Sequence, residues 1–145
     1  KAIVRNIKNF IMTFGRDFAY IGNQYHLEIF GEELFPDLLF LNRELNCMVV
    51  VELKKGAFKP SYIGQLQTYM KVLDDKVRKP HENPTIGILL CKSANKAFVE
   101  YVIRDYNHPM GVATYKTAED MSEELRNALP DMDEMRKLLT DDSDV

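Results

Sequence analysis

The sequence predicts an α/β fold, a mixed β-sheet flanked by helices, and three observations predict it. Two apolar runs, Leu34–Leu41 and Cys47–Lys54, are joined by the short polar stretch Asn42–Asn46, the pattern of an antiparallel hairpin. A long helical stripe follows, with Ile63, Leu66, Met70, Leu73 and Val77 recurring at alternating spacings of three and four. Beyond it the apolar run Thr85–Cys91, the helical segment Ala94–Arg104 and the run Met110–Tyr115 form a strand–helix–strand unit, which favours parallel pairing. Antiparallel hairpin and parallel crossover together require a mixed sheet.

Taken in order, the first element is a helix over Ala2–Phe14. Ile3, Ile7, Phe10 and Phe14 share one stripe, Val4 and Ile11 lie beside it, and Gly15 is its stop signal. Phe18–Phe30 is rich in aromatic and β-branched residues and reads as one strand, with Gly31-Glu32-Glu33 as the turn after it. The hairpin strands Leu34–Leu41 and Cys47–Lys54 come next. Gly56 ends the second of them, and Pro60 occupies the first position of the long helix, where its missing N–H costs nothing. Lys76, Arg78 and Lys79 suit the negative end of that helix, and Pro80 stops it. A final helix is capped by Thr117 or Ser122. Past Pro130 the chain turns acidic and ends Asp141-Asp142-Ser143-Asp144-Val145, an end expected to fray. The element order is helix, three strands, helix, strand, helix, strand, helix.

Composition narrows the function classes. A chain of 145 residues is one domain with room for a real core. Its 46% hydrophobic and 28% charged residues are ordinary for a globular protein. A net charge of −3 provides no global basic field and counts against a nucleic-acid-binding function, though such proteins often localise their basic charge to one cleft. Cys47 and Cys91 stand far apart without zinc-ligand spacing and read as buried small hydrophobes in a reducing, cytoplasmic setting. No apolar run approaches the roughly 18–20 residues of a membrane span, and no signal-peptide core is present. The chain opens on Lys1 and runs straight into a helix, so a further domain is expected upstream.

Three charges interrupt the hairpin: Asp37 in its first strand, Glu52 and Lys54 at the end of its second. A charge in a buried strand costs several kcal/mol unless something pairs with it. A turn at Glu44-Leu45 pairs Arg43 with Asn46 and carries the register back to Asp37 opposite Glu52. Directly opposed residues share a face, with Cβ atoms about 4.5–5.5 Å apart. Lys54, two residues beyond Glu52, shares it too. A slip of one residue would separate them. Two adjacent carboxylates repel, and a hard divalent cation such as Mg2+, with Mn2+ as its substitute, mediates between them. The backbone carbonyl of Leu53, between the two side chains, offers another oxygen ligand. Lys54 is placed to orient an attacking water or stabilise developing charge.

Pro36-Asp37 followed by Glu52-Leu53-Lys54 at the end of the next strand resembles the PD-(D/E)XK nuclease superfamily. The stretches Phe35–Arg43, Val49–Gly56, Phe58–Leu66 and Pro84–Cys91 resemble its YhcG-type bacterial members. Gly22-Asn23-Gln24-Tyr25 and Pro109-Met110-Gly111-Val112 fit the same pattern. The resemblance runs from Ile3 to Leu129. It implies a restriction-endonuclease-like fold, an α-β-β-β-α-β core with an added α-β-α, over residues 1–130. The acidic extension over 131–145 follows, and an N-terminal domain precedes. It further implies a magnesium-dependent endonuclease that hydrolyses phosphodiester bonds in DNA through a metal-activated water. Asp37 and Glu52 are then metal ligands, Lys54 the catalytic lysine, and Gln65 the glutamine that some members place beside the site. One departure stands out: Thr13 occupies a position on the first helix where the superfamily often carries an acidic residue.

Structural readings compete at each position. Asp37 and Lys54 also suit a plain cross-strand salt bridge with Glu52 solvated. Lys55, Lys59 and Lys71 are either phosphate contacts or solvated lysines. Tyr62 and Tyr69 either stack on bases or pack against the sheet. Gly64 removes a side chain beside Gln65, leaving room for a phosphate or a neighbouring strand. His26, His81 and His108 have no ligand spacing, and Met70 and Met110 read as core filler. At the level of the whole chain, Thr13 and the net negative charge motivate a degenerate module that binds nucleic acid or protein without cutting. A third reading is a structural domain serving the upstream part, for example as a homodimer.

Overall fold

The computed structural model describes residues 17–106 and 110–114. The helix expected over Ala2–Phe14, with Thr13, lies outside them, as do His108, the capped C-terminal helix and the acidic end. The described chain runs β1 (Phe18–Asn23), β2 (Leu27–Ile29), β3 (Glu32–Leu34), β4 (Leu38–Asn42), β5 (Cys47–Leu53), α1 (Pro60–Lys76), β6 (Asn83–Cys91), α2 (Lys96–Ile103) and β7 (Met110–Thr114). Five strands form one sheet in the order β1-β4-β5-β6-β7, and β2 and β3 form a separate hairpin. β1, β4 and β5 pair antiparallel, while β5, β6 and β7 pair parallel, so the sheet is mixed.

The central hairpin keeps the register that sets Asp37 against Glu52: Leu38 pairs with Val51 and Asn42 with Cys47. Its connection is longer than the two-residue turn expected. Arg43–Asn46 form a four-residue loop, closed by Asn46 in the left-handed region at φ 53° and by the Leu45 N–H donating to Asn42 Oδ1 at 2.9 Å. Both solutions give the same register.

The N-terminal half departs from expectation. Phe18–Phe30 is not one strand: the chain leaves the sheet after Asn23, with Gln24 left-handed at φ 52°, and re-forms as β2. The turn is Phe30-Gly31, not Gly31-Glu32-Glu33, since Ile29 pairs with Glu32 and both glutamates belong to β3. Positive φ at both Phe30 (50°) and Gly31 (82°) gives the backbone twist that a two-residue hairpin turn needs. Likewise Leu34–Leu41 is split, because Pro36 has no N–H to contribute and Asp37 bends the chain into β4.

β5 from Cys47 to Glu52 and β6 from Thr85 to Cys91 are buried at every position, which explains their continuous apolar runs. α1 lays Ile63, Leu66, Met70 and Leu73, all at most 1% exposed, into the core. It reaches β6 closely at Gly87, where a Cβ would stand 2.4 Å from Met70 Sδ and 3.0 Å from Leu66 Cγ. Pro60 occupies the first turn of α1 as expected. This packing fixes α1 against the ends of β5 and β6, where the charged residues lie.

Candidate active site

Asp37 precedes β4 and Glu52 is the next-to-last residue of β5, so both stand where the antiparallel ladder runs out. Their side chains replace the missing ladder bonds. The Asp37 N–H donates to Glu52 Oε2 at 2.5 Å, and the Leu53 N–H donates to Asp37 Oδ2 at 2.9 Å. Each carboxyl group thus accepts from backbone of the neighbouring strand, which fixes both rotamers. The second oxygen of Asp37, Oδ1, accepts from Gln24 Nε2 at 3.0 Å.

Glu52 is 3% exposed. Burial, and then the charge of Asp37, push its carboxyl up from 4.5 to about 8, against the opposing pull of the Asp37 N–H and of Lys54. The pair therefore lacks positive charge of its own. Among the described residues no group of three or more His, Cys, Asp or Glu side chains converges, so two carboxylates are the acidic set. That set fits a hard divalent cation such as Mg2+, which is commonly held by one or two carboxylates and keeps waters in its remaining positions.

Lys54 continues from β5, its N–H donating to the Leu90 carbonyl at 2.8 Å. Its Nζ does not pair with Asp37, the salt bridge that a structural reading of the hairpin requires. It donates to Gln65 Oε1 at 2.8 Å and lies 4.6 Å from the centroid of the Tyr62 ring. A glutamine acceptor and an aromatic face hold the ammonium without neutralising it. Gln65 stands on the exposed side of α1, three residues after Tyr62 and four before Tyr69, so all three line the edge facing the hairpin.

Tyr69 is placed differently from the base-stacking role open to it in the sequence. At 5% exposure its ring is part of the core, because its position on α1 turns it toward the sheet. Burial, with the charges of Glu52 and Asp37, pushes its hydroxyl up to about 12, and a hydrogen bond with the Gln65 side chain opposes the shift. Tyr62 is half-buried under Lys54, with Lys59 Nζ 6.0 Å from its ring centroid, while Lys55 and Lys59 are exposed. Among the described residues no strand approaches Gly64: a Cβ there would meet none of their atoms within 4 Å. His26 is bonded to Glu33 at 2.9 Å and stacked on Phe35.

The sequence has Gln24 in the family-like stretch Gly22–Tyr25 with no role for it, and the structure brings its side chain onto Asp37. The signal that finds it is its position across from Asp37 in the β1–β4 register, which no local pattern gives.

The YhcG PDDEXK nuclease domain model matches residues 1–130. The chain belongs to this family. The candidate nuclease YhcG of Escherichia coli (strain K12) is 32% identical over 116 residues, 80% of this chain and 31% of that protein. The chain therefore spans about a third of that relative's length. Among solved structures, the EndoMS–dsDNA2 complex superposes with a TM-score of 0.57 at 15% identity, covering 78% of this chain and 43% of that one. A repair endonuclease from Pyrococcus abyssi gives a TM-score of 0.50, also at 15% identity, over 77% and 44%. At these identities the likeness is one of fold, restriction-endonuclease-like, as the resemblance of the YhcG domain implied. The Pro36-Asp37 and Glu52-Leu53-Lys54 of this YhcG domain fall at the two strand ends just described.

Proposed function

We propose that this domain hydrolyses phosphodiester bonds in DNA with a divalent cation, Mg2+ or its substitute Mn2+. The observation that carries the reading is the pairing of half-buried Asp37 with buried Glu52, each carboxyl group fixed by a backbone N–H of the neighbouring strand, beside a lysine whose ammonium is not neutralised by either. Membership in the nuclease family supports it, and the DNA named in the EndoMS complex supports DNA as the substrate class.

Asp37 and Glu52 are the residues that hold the cation, with the Leu53 carbonyl as a further oxygen. When bound, the cation supplies acidification of a water and neutralisation of phosphate charge. Lys54, held at 2.8 Å by Gln65, keeps an N–H available toward the scissile group and stabilises negative charge developing there. Gln65 orients that ammonium, and Tyr62 shields one side of it. Lys55 and Lys59, both exposed near the beginning of α1, are the phosphate-backbone contacts in this reading. The greater length of the Escherichia coli relative supports a further domain joined to this one in a longer protein.

The test is nicking and linearisation of plasmid DNA by the purified chain with Mg2+ or Mn2+, beside Asp37→Ala and Lys54→Ala. Activity in the wild type and its loss in both variants is the expected result. Equal cutting by all three sinks the assignment. No cutting by the wild type, with no Mn2+ binding detectable by calorimetry, assigns the non-cutting binding module instead.

A further inference from the structure

Gln24, Asp37 and Glu52 form a row across three neighbouring strands. Asn23 pairs with Leu38 in the β1–β4 ladder, and the next step is the Gln24 N–H donating to the Asp37 carbonyl at 3.1 Å. Asp37 thus faces Gln24 on one side and Glu52 on the other. We propose that Gln24 is a positioning residue for the candidate metal ligand Asp37, fixing its carboxylate for cation binding; the proposal rests on the nuclease reading above.

Two independent observations meet here. The first is the hydrogen bonding: Gln24 Nε2 donates to Asp37 Oδ1 at 3.0 Å while the Leu53 N–H donates to Oδ2 at 2.9 Å. A carboxylate held by one donor on each oxygen cannot rotate about its own axis, yet keeps lone pairs for a cation. The partner being a carboxylate oxygen, the glutamine must present its NH2. An amide donor here adds no negative charge to the Asp37–Glu52 pair and does not compete for the cation, as a second acid would.

The second observation is the backbone. Gln24 has φ 52°, a conformation unfavourable for an L side chain. The other non-glycine residues with positive φ among those described are Asp17, Phe30 and Asn46. Asp and Asn tolerate the region, and Phe30 lies in a two-residue turn with Gly31. Gln24 has neither reason. A glycine meets its backbone requirement without strain, so the glutamine is there for its side chain. Strain retained beside a site, with a donor aimed at a site residue, is the pattern of preorganisation. Partners of metal ligands typically contribute 10–100-fold in metal affinity.

The experiment is calorimetric titration of the full chain with Mn2+, for the wild type, Gln24→Gly, Gln24→Met and Asp37→Ala, with thermal unfolding of each in the absence of metal. Gln24→Gly deletes the donor and relieves the backbone, so its unfolding temperature does not fall. Gln24→Met keeps the length and the strain and deletes only the donor. Both are expected to bind Mn2+ at least ~10-fold more weakly than the wild type. Wild-type affinity in both, with binding lost in Asp37→Ala, overturns the role of Gln24 and leaves the nuclease reading standing. Wild-type affinity in Asp37→Ala overturns both.

Discussion

At the end of the β4–β5 ladder Asp37 donates its backbone N–H to the Glu52 carboxyl group at 2.5 Å, and its own carboxylate accepts from the Leu53 N–H at 2.9 Å. Two acids are thereby held together in a place where Glu52 is 3% exposed. The arrangement costs the free protein stability, and the cost depends on pH.

Burial and Asp37 raise Glu52 from 4.5 to about 8. The folded state therefore holds a proton that the unfolded chain releases, and stability falls as pH rises between these values. The penalty is absent below about pH 4.5 and complete above about pH 8. Glu52→Gln keeps the acceptor for the Asp37 N–H and removes the charge. It is expected to stabilise the metal-free protein by about 2–4 kcal/mol above pH 8, and to change little near pH 4.5. Denaturant melts at both pH values check this. Metal binding must displace the same proton, so Mn2+ affinity rises with pH up to about 8. Calorimetry at pH 7 in buffers of different ionisation enthalpy detects proton release; none means that Glu52 is already ionised at pH 7 or is not a ligand.

Gly87 sets the distance between α1 and β6. A Cβ at this position lies 2.4 Å from Met70 Sδ and 3.0 Å from Leu66 Cγ, so Gly87→Ala must displace the helix or bend the Met70 side chain. The expected loss is about 1–3 kcal/mol by urea unfolding. Combining it with Met70→Ala, which empties the space, should recover part of the loss. Strict additivity of the two costs contradicts the contact.

Phe30 is 97% exposed and has φ 50° in the two-residue turn with Gly31. It buries almost nothing and pays for an unfavourable backbone conformation. Phe30→Asn, the residue preferred in such turns, is expected to raise stability by about 0.5–1 kcal/mol. A fall in unfolding temperature means that the phenyl ring has a packing role.

The sequence reveals elements wherever a local pattern is enough. Continuous apolar runs bounded by a polar loop reveal the hairpin, while its register follows from the centre of that loop, which the expected turn at Glu44-Leu45 and the observed loop Arg43–Asn46 share. Pro60 and the 3–4 stripe define α1. The break at Gln24 is not legible, since its left-handed backbone is stabilised by bonds to Asp37, thirteen residues away. The split of Leu34–Leu41 at Pro36-Asp37 was available in the missing proline N–H, but the apolar residues on both sides mask it. At the site, same-face geometry brings Lys54 toward the carboxylates and offers it Asp37. Only the packing of α1 against β6 shows Gln65 within reach of its Nζ instead. Tyr69 lies on the boundary between core and exposed faces, where helical spacing alone does not decide burial.

The Lys54–Gln65 bond at 2.8 Å gives the last prediction, because it separates orientation from charge. Gln65 touches neither carboxylate in the hydrogen bonds described, so altering it leaves cation binding to Asp37 and Glu52 intact. Gln65→Leu removes the acceptor while Lys54 keeps its charge and its place over Tyr62, 4.6 Å from the ring centroid. With the ammonium no longer aimed, the rate of plasmid cutting is expected to fall roughly 10–100-fold at saturating substrate. Mn2+ affinity should stay within about twofold of the wild type, well short of the 10-fold or greater change that follows loss of a ligand's own partner. Gln65→Glu supplies an acceptor in the same place but neutralises the ammonium. If aim alone matters, it cuts as the wild type does; if the free charge matters, it is as slow as Gln65→Leu. The pair of variants, assayed beside Lys54→Ala under single-turnover conditions, distinguishes the two. Wild-type rates in both would show that Gln65 does nothing for Lys54.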